Sequence, residues 1–274
     1  MDRGDIHHAW LIIAHNEFGT LQHLISALDS SESDIYVHID KKVTVLPELR
    51  VEKSHLVVLC ERVDVRWGSV SQIQCELALL KAAVVNGPYD YYHIISGTTL
   101  PLKGMPEINR YFEAKAGSSI CTGLCKDLPY QETLKVRRYN LFLRNYASRN
   151  GFLKSASQFL WKSAIAIQRI LGIEANRSKE FYKASNWLSL TEEATQYLLS
   201  REKEILKIYR YSFCGDEYFA PSELMASPYK DRMISDDHYL CHNIARSNAS
   251  VFHLAEYNEL CKTDYLFARK FTES

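Results

Sequence analysis

Two pairs of charged residues in the last quarter of the chain have the types and surroundings needed to do chemistry together. Asp216 and Glu217 lie in the largely apolar segment 213–219, where a carboxylate is a candidate general base. Arg269 and Lys270 follow the apolar run Leu266-Phe-Ala, and two adjacent cations suit a diphosphate. Transfer of a sugar from a nucleotide donor to a hydroxyl needs both a base and a group that binds the departing diphosphate. When two cations bind the diphosphate, the reaction needs no metal. A surface carboxylate pair and a solvated basic pair are the alternative interpretations.

The composition is that of an ordinary globular protein, with 46% hydrophobic and 24% charged residues among 274. Lys+Arg and Asp+Glu both number 33, so the net charge gives no support to nucleic-acid binding. The seven cysteines include no CxxC pair, which favours the reduced thiols of a cytosol over a disulfide framework. With neither a signal peptide nor an apolar stretch of about 18 residues, we expect a cytoplasmic protein with at most peripheral contact at the inner face of the cell membrane.

The first part of the chain alternates between strand and helix patterns. Apolar runs predict strands at 9–14, 34–39, 56–59 and 91–95, and helical spacing of apolar residues predicts helices at 21–28 and 70–80. This alternation indicates an α/β fold with a largely parallel central sheet. Because ligands bind beyond the carboxyl ends of such strands, three segments should share one rim of the sheet. They are 14–16, 40–42 and 96–99.

The middle of the chain has a different character. Residues 135–149 interleave arginine and lysine with aromatic residues, and 152–173 predict an amphipathic, mildly basic helix. We interpret about 130–180 as a helical insertion. Within it, the run 135–149 binds an acceptor, faces a membrane, or is simply a solvated basic loop.

A second α/β stretch follows the insertion, with a strand at 186–191 and a helix from 192 to about 207. The prediction is a single domain, 1–274. Within it we expect a nucleotide-binding half at about 1–115 and an acceptor-binding and catalytic half at about 181–274.

Seven segments resemble, in order along the chain, glycosyltransferase family fourteen. This family holds the core-2/I-branching β-1,6-N-acetylglucosaminyltransferases and the peptide-O-xylosyltransferases, including shorter bacterial relatives. The segments are 13–16 (IAHN), 34–42 (DIYVHIDKK), 66–69 (RWGS), 89–103, 186–191 (NWLSLT), 216–217 (DE) and 267–271 (FARKF). The resemblance implies a GT-A-like nucleotide-sugar fold, an inverting mechanism, a UDP-sugar donor, a glycan acceptor and no metal or other cofactor. The absence of a DxD motif after a strand in the first half agrees with this.

The resemblance also implies roles for individual residues. Glu217 is the general base, whereas Asp216 has no assigned role, and Arg269 with Lys270 holds the diphosphate. The nucleoside would be contacted by Asp40, Ala14 and His15, with Val65 as a wall of its pocket. A loop-capping Asp40 and a packed His15 are the alternatives.

A third group of residues is expected to line the sugar pocket. The resemblance places Asn186 and Trp187 against the donor sugar, and Trp67 is a further candidate for stacking on a sugar, although both tryptophans could be purely structural. Thr99 stands where the family usually has an aspartate, so a donor or acceptor contact is expected to differ there. An arginine usual upstream of the basic pair has no clean counterpart. Either Arg232 or Arg246 replaces it, or Arg269 and Lys270 hold the diphosphate alone.

Three hypotheses follow. The leading one is an inverting, metal-independent transferase that moves N-acetylglucosamine or xylose from a UDP-sugar to a glycan hydroxyl, for which a bacterial surface polysaccharide is the expected acceptor. The second is an inactive sugar-nucleotide or glycan-binding protein of the same fold, for which the Thr99 departure is the main support. The third is a membrane-surface scaffold that uses residues 135–173, and it leaves both chain ends unexplained.

Overall fold

The computed structural model describes residues 6–241 and 251–273. The strands in this part of the chain are β1 (His8–Ala14), β2 (Ser33–Ile39), β3 (His55–Val58), β4 (Tyr91–Ser96), β5 (Leu100–Pro101), β6 (Ser119–Cys121), β7 (Leu188–Thr191), β8 (Met233–Ser235), β9 (Leu240–Cys241), β10 (Phe252–His253), β11 (Phe267–Ala268) and β12 (Phe271–Thr272). The α-helices are α1 (Phe18–Leu28), α2 (Ser71–Val84), α3 (Met105–Glu113), α4 (Tyr130–Arg137), α5 (Gly151–Ile170), α6 (Glu192–Ser200), α7 (Glu202–Ile208), α8 (Phe219–Met225) and α9 (Tyr257–Leu260).

Seven strands form one mixed sheet in the order β3-β2-β1-β4-β7-β6-β8. Strands β3, β2, β1 and β4 are parallel to one another, and β6 is parallel to β8. Only β7 in this sheet runs the other way, because it pairs antiparallel with both β4 and β6. The predicted class, an α/β fold with a mixed, mostly parallel sheet flanked by helices and a mid-chain helical insertion, is confirmed.

The central strands are buried because their sequences are apolar on both faces. Residues 9–12 of β1 are completely buried, as expected of a parallel strand covered by helices on each side. Polar side chains in this layer are paired: the Trp10 indole donates to the Ser33 hydroxyl at 3.0 Å, and the His93 ring stacks on Trp10 at 4.0 Å. Burial, followed by the neighbouring His8, holds the pKa of His93 well below its ordinary range, so this histidine is neutral in the core.

A small apolar cluster joins the helical insertion to the segment before Glu217. Leu143, Phe213 and Cys214 form it, with Tyr146 and Trp161 packed against them. Helix α5 begins after Asn150, whose side-chain oxygen accepts hydrogen bonds from the backbone amides of Phe152 and Leu153 at 3.1 and 3.2 Å. Within 6–241 and 251–273, no helix combines the length and the apolar character needed to cross a membrane.

The prediction of one continuous helix from 192 to about 207 is wrong, because the chain forms two helices that meet at Arg201. The Ser200 hydroxyl donates to the Tyr197 carbonyl at 2.7 Å, and the Arg201 amide bonds to the Leu198 carbonyl three residues back. Both contacts tighten the last turn of α6 and end it. Arg201 then extends to the carboxylates of Glu204 and Glu223.

The C-terminal segment lies across the edge of the sheet where β1 and β4 end. Strand β11 pairs with β5 and β9 in a second, three-stranded sheet, and β12 pairs with β10. The Phe271 amide donates to the Thr98 carbonyl just beyond β4 at 2.9 Å. The Glu273 carboxylate accepts from the Thr20 amide in the first turn of α1 at 2.8 Å. The two residues between strands β11 and β12, Arg269 and Lys270, are thereby held at this edge.

Candidate active site

The predicted common rim is present at the carboxyl ends of β1, β2 and β4. The Asp40 amide donates to the Ala14 carbonyl, and the Gly97 amide donates to the Ile13 carbonyl, both at 2.9 Å. A Cβ on Gly97 would lie 2.8 Å from the Cβ of Ala14, so only glycine allows this close approach. Because β7 is antiparallel, the residues just before it, including Asn186 and Trp187, come to the same edge.

Asp40 and Val65 form one end of the edge, at the loops that follow β2 and β3. The Asp40 carboxylate is buried and accepts hydrogen bonds from the Lys42 amide at 2.8 Å and the Lys42 ammonium at 2.6 Å. The same ammonium donates to the Val65 carbonyl at 2.6 Å. Asp40 therefore caps its own loop, and its predicted contact with a nucleoside stays a prediction.

His15 lies between this end of the edge and the basic pair. Its side chain is exposed, so the alternative of a packed core histidine is wrong. Its pKa is lowered, first by partial desolvation and then by the cations Lys42, Lys270 and Arg149, although the Asp40 carboxylate opposes them. His15 is therefore a neutral imidazole near neutral pH, able to donate or accept a hydrogen bond.

Glu217 ends a 3₁₀ turn, Gly215–Glu217, that follows Cys214 in a left-handed conformation (φ 51°). Its side chain is 31% exposed, and one carboxylate oxygen lies 3.2 Å from the Lys183 ammonium and 4.0 Å from that of Lys135. The Ala184 amide also donates to the Glu217 carbonyl at 3.0 Å. The oxygen that faces the two lysines is buried and has no hydrogen-bond partner among the described residues, whereas the side chain as a whole is partly open to solvent, as a proton acceptor for an incoming hydroxyl must be.

A second carboxylate, Glu132 of α4, shares these cations. It accepts hydrogen bonds from Lys183 at 2.7 Å and from Lys135 at 3.0 Å, and the Tyr218 hydroxyl also donates to it. Burial alone would raise its pKa, but these bonds lower it to about 2, so Glu132 is a carboxylate at all working pH values. Glu132 and Lys183 were missed by the sequence reasoning. The sequence offered one hint for Lys183, which lies three residues before Asn186, a residue already predicted to line the sugar pocket.

Asp216 anchors the floor of the site. Its carboxylate is buried, and one oxygen accepts from the Gln72 amide at 3.0 Å and the Asn186 amide at 3.1 Å. Burial, followed by the charge of Glu217, raises its pKa to about 7, against the opposing charges of Lys135 and Arg269. The residue left without a role in the sequence analysis therefore fixes Asn186, a predicted sugar contact, to helix α2.

Arg269 has a buried donor that no described residue satisfies. Its guanidinium carbon lies 4.6 Å from the centre of the Trp187 ring, a cation–π contact. Its Nε is buried and has no hydrogen-bond partner among the described residues. Desolvation lowers its pKa to about 10, although Asp216 and Glu217 oppose this, so it stays charged at neutral pH. A buried, charged donor without a partner is well suited to bind an anionic ligand.

Lys270 is the exposed member of the basic pair. Desolvation and then the charge of Arg269 lower its pKa. The two residues are joined by a cis peptide bond.

Trp67 and Thr99 differ in their accessibility. Trp67 is 53% exposed, with its ring stacked on Tyr146 at 5.9 Å and in edge contact with Phe213 at 5.3 Å. A large ring face is therefore open beside the turn that carries Glu217. Thr99 is buried, and its hydroxyl shares a hydrogen bond with that of Ser96 at 2.9 Å. A sugar contact by Thr99 stays a prediction, and it would require the turn after β4 to open.

Arg232 does not replace the upstream arginine, so that suggestion is wrong. Its guanidinium donates to the Gly117 carbonyl and lies 3.6 Å from Glu193. Gly117 precedes β6 and Glu193 follows the antiparallel β7, which puts both at the amino edge of the sheet, opposite the site. Arg246, the other suggestion, lies outside the described residues.

Gly68 makes the close contact that positions the Glu217 turn. It adopts φ +74°, its carbonyl accepts from the Cys214 amide at 2.9 Å, and a Cβ on it would lie 2.5 Å from the Phe213 ring. We expect Gly68→Ala to lower the free energy of unfolding by about 2–5 kcal/mol, from backbone strain and overpacking together.

The matched control is Gly123→Ala. Gly123 has nearly the same φ, +71°, but nothing within 4 Å of its Cβ position. The free energy of unfolding of Gly123→Ala should fall by only about 1–2 kcal/mol, because this variant has the backbone strain without the overpacking. Chemical denaturation of both variants makes the comparison, and equal losses would contradict the packing role of Gly68.

Glu76 of α2 is a buried carboxyl group beneath the site, and neither of its oxygens has a hydrogen-bond partner among the described residues. Burial, followed by the charge of Asp216, raises its pKa well above the ordinary 4.5. Above pH 4.5 the unfolded chain therefore ionises while the folded chain stays protonated, so stability falls as pH rises. We expect Glu76→Gln to increase the free energy of unfolding at pH 7 by about 1–3 kcal/mol and to give little gain at pH 4.

Glu223 is the matched control for this change, because it is equally buried but paired with Lys179 at 2.7 Å and Arg201 at 3.2 Å. Glu223→Gln should destabilise the protein by about 3–5 kcal/mol, since buried or half-buried cations lose their partner. Thermal unfolding at the two pH values measures both variants. A Glu76→Gln loss as large as that of Glu223→Gln would contradict this assignment.

No group of three or more His, Cys, Asp or Glu residues within 6–241 and 251–273 is arranged to hold a metal ion. This observation does not test whether the reaction needs a metal, so the predicted metal independence stays a prediction.

Comparison with known proteins identifies the family. N-acetyllactosaminide β-1,6-N-acetylglucosaminyl-transferase of Mus musculus is 23% identical over 219 residues, covering 77% of this chain and 51% of the mouse protein. The Homo sapiens protein of the same name is 26% identical over 122 residues, covering 42% of this chain and 30% of the human protein. The chain therefore spans about half or less of the length of these two curated relatives.

Among solved structures, mouse xyloside xylosyltransferase 1 aligns over 97% of both chains with 11% identity and a TM-score of 0.40. The WbbM bifunctional glycosyltransferase aligns over 98% of this chain and 46% of its own, with 10% identity and a TM-score of 0.43. At these scores neither likeness carries an argument. A family model described as Core-2/I-Branching enzyme matches residues 8–249, which is most of the chain from the start of β1 onward. As the ordered motifs predicted, the chain belongs to the Core-2/I-branching enzyme family.

Proposed function

We propose that this protein is a glycosyltransferase that moves a sugar from a UDP-sugar to a glycan hydroxyl. The observation that supports the proposal best is that Glu217, a solvent-accessible carboxylate held by lysines, shares one edge of the sheet with Arg269, a charged donor whose Nε lacks a partner among the described residues. The names of the two curated relatives favour N-acetylglucosamine as the sugar. Xylose is the second choice, from the resemblance in sequence.

In the proposed reaction Glu217 takes the proton of the acceptor hydroxyl while that oxygen attacks the anomeric carbon of the donor. The bond from this carbon to the diphosphate oxygen breaks, and UDP leaves with the electron pair. A single displacement of this kind inverts the anomeric configuration. Negative charge grows on the departing diphosphate, so Arg269 and Lys270 lower the barrier by binding it as it forms. Two cations at this position make a metal ion unnecessary in the proposal.

The nucleoside would lie at the other end of the edge, beside Ala14, His15, Asp40 and Val65. A neutral His15 can hydrogen-bond or stack on uracil without repelling Lys42 or Lys270. The Asp40 carboxylate keeps lone pairs beyond those used by Lys42, and these can accept from a ribose hydroxyl or the uracil NH. The donor sugar would then lie between Asn186, Trp187 and Trp67, with Glu217 facing the acceptor.

We place the reaction in the cytoplasm, with peripheral contact at the membrane and a surface polysaccharide as acceptor. The six cysteines whose side chains the structure describes are free thiols, which agrees with a reducing compartment. The inactive alternative has little support in the geometry, because Thr99 lies in a buried turn and its hydroxyl is bonded to Ser96.

A screen of nucleotide sugars by thermal unfolding, followed by an assay of UDP release, tests the proposal. UDP-N-acetylglucosamine at about a hundred times its Kd should add roughly 2.7 kcal/mol to the free energy of unfolding. UDP release with an acceptor glycan should persist in EDTA. GDP- and ADP-sugars are the controls and should give no shift. Stabilisation without any UDP release would favour the inactive alternative, and no shift with any UDP-sugar would refute the proposal.

A further inference from the structure

Helix α5 exposes large apolar side chains on the side that faces away from the protein. Phe159 is 69% and Ile170 83% exposed, and Phe152, Leu153, Leu160 and Ile167 are also exposed. Phe152 and Phe159 are seven residues apart, as are Leu153, Leu160 and Ile167, so they form adjacent rows along one side of the helix. We call these six side chains the α5 apolar face.

The side of α5 that packs on the protein is mixed, with Ile165 and Trp161 beside the polar Ser157 and Gln168. The Ser157 hydroxyl donates to the Phe142 carbonyl. The Gln168 side chain accepts a hydrogen bond from the Tyr139 amide and donates one to the Tyr139 carbonyl, and both of these bonds are 2.9 Å long. The Trp161 indole donates to Asn140 at 2.9 Å. A surface helix in water normally buries its apolar side, but the larger apolar stripe of α5 is exposed. An apolar face that the rest of this protein does not need for its own packing is available to another surface.

The charge around this face is one-sided. Residues 133–173 contain eight cations and no aspartate or glutamate, although positive and negative residues balance over the whole chain. Two of them pair with acidic residues just outside this range, Lys135 with Glu132 and Arg138 with Glu174. The five that are exposed are Arg144, Arg149, Lys154, Lys162 and Arg169. On α5 itself, Lys162 and Arg169 are exposed next to the row of Phe152 and Phe159, and Lys154 is exposed in the first turn. Apolar side chains flanked by lysine and arginine are the composition of helices that lie in the plane of a membrane surface.

We propose that the α5 apolar face docks on a bilayer that contains anionic lipids. This rests on the peripheral membrane contact of the proposed function and gives it a location. The apolar side chains enter the boundary between headgroups and acyl chains, and the flanking cations meet the lipid phosphates. The Trp161 ring of α5 contacts the Phe213 ring at 5.6 Å, and Phe213 lies two residues before the turn that carries Glu217. Docking therefore brings the candidate base close to glycans at the bilayer surface.

Flotation with lipid vesicles tests the proposal on the full chain. The protein should float with phosphatidylcholine vesicles that contain phosphatidylglycerol as roughly a third of the lipid, and less with phosphatidylcholine alone. Phe159→Ser with Ile170→Ser should lower the partition coefficient at least about tenfold, because two large apolar side chains no longer leave water. Lys162→Glu with Arg169→Glu should abolish the preference for the anionic vesicles.

Val45→Ser with Val85→Ser is the matched control, since both valines are 81% exposed and lie outside α5. It should float like the unaltered protein. Absence of flotation by the unaltered protein, or an equal loss in the control, would overturn the proposal. So would a Phe159→Ser, Ile170→Ser variant that turns a dimer into a monomer in light scattering without changing flotation, since the face would then bind a second copy. Thermal shifts with UDP-sugars should be the same in all these variants, which separates failure of docking from failure of the proposed function.

Discussion

Replacing Glu217 by glutamine should lower kcat by about a hundredfold to ten-thousandfold, the usual contribution of a general base. Glutamine keeps the shape of the side chain beside Lys183, 3.2 Å away in the unaltered protein, but it cannot accept the proton of the acceptor hydroxyl. UDP affinity should be unchanged, because Arg269 and Lys270 remain. Initial rates of UDP release at saturating donor and acceptor measure the first effect, and calorimetric titration with UDP measures the second.

Glu132→Gln is the matched control for this experiment. Glu132 contacts the same Lys183 and has a similarly accessible side chain, 23% against 31% for Glu217. It should lower kcat less than about tenfold, because its hydroxyl partner is Tyr218 and not the substrate. If the two variants lost equal activity, Glu217 would be one member of a structural charge cluster. Transfer at the normal rate by Glu217→Gln would rule the residue out as the base.

Replacing Arg269 by alanine should lower kcat/KM by about a hundredfold to a thousandfold and weaken UDP binding as well. The guanidinium has a donor without a partner among the described residues and lies against Trp187, so its removal takes away a prepared diphosphate contact. Arg269→Lys should recover part of the loss, since it restores the charge but not the planar fork or the ring contact.

Lys270→Ala tests whether the two cations are equivalent. Lys270 is exposed, so it is more hydrated than Arg269 and its loss should cost less, on the order of tenfold in kcat/KM. Titration with UDP and steady-state kinetics report on both variants, with thermal unfolding as the check on folding. A larger loss in Lys270→Ala than in Arg269→Ala would contradict the placement of the diphosphate on Arg269.

The parts of the fold that the sequence predicted correctly depend on local patterns. The run 9–14 is apolar without interruption, and it forms the buried strand β1. Once β1, β2 and β4 were predicted to be parallel, their carboxyl ends had to meet, so the edge that carries His15 and Asp40 followed from topology alone. The helix at 192–207 was the main local error, because a side-chain hydrogen bond from Ser200 to its own backbone leaves no signal in hydrophobic periodicity.

The parts of the site that were missed depend on contacts between distant residues. Lys183 meets Glu132 across 51 positions, and Tyr218 meets Glu132 across 86. These pairs form only when Glu132 of α4 meets the segment before β7 and the residue after the Glu217 turn, and no spacing within the chain encodes that meeting. Asp216 is similar: next to Glu217 it looks like a second surface acid, but burial against Gln72 and Asn186 makes it the floor of the site.

The C-terminal segment across the edge of the sheet has a consequence for how the protein folds. The bond from the Thr20 amide to Glu273 closes a loop of 253 residues, and the same segment carries Arg269. Contacts this far apart in sequence are slow to form, because the entropy of closing the loop is lost before any contact is gained. Nucleotide affinity should therefore return last during refolding, after the helical and sheet signals have recovered. A fluorescent UDP analogue would report completion of the native state, and donor in the refolding buffer would select the molecules that reach it.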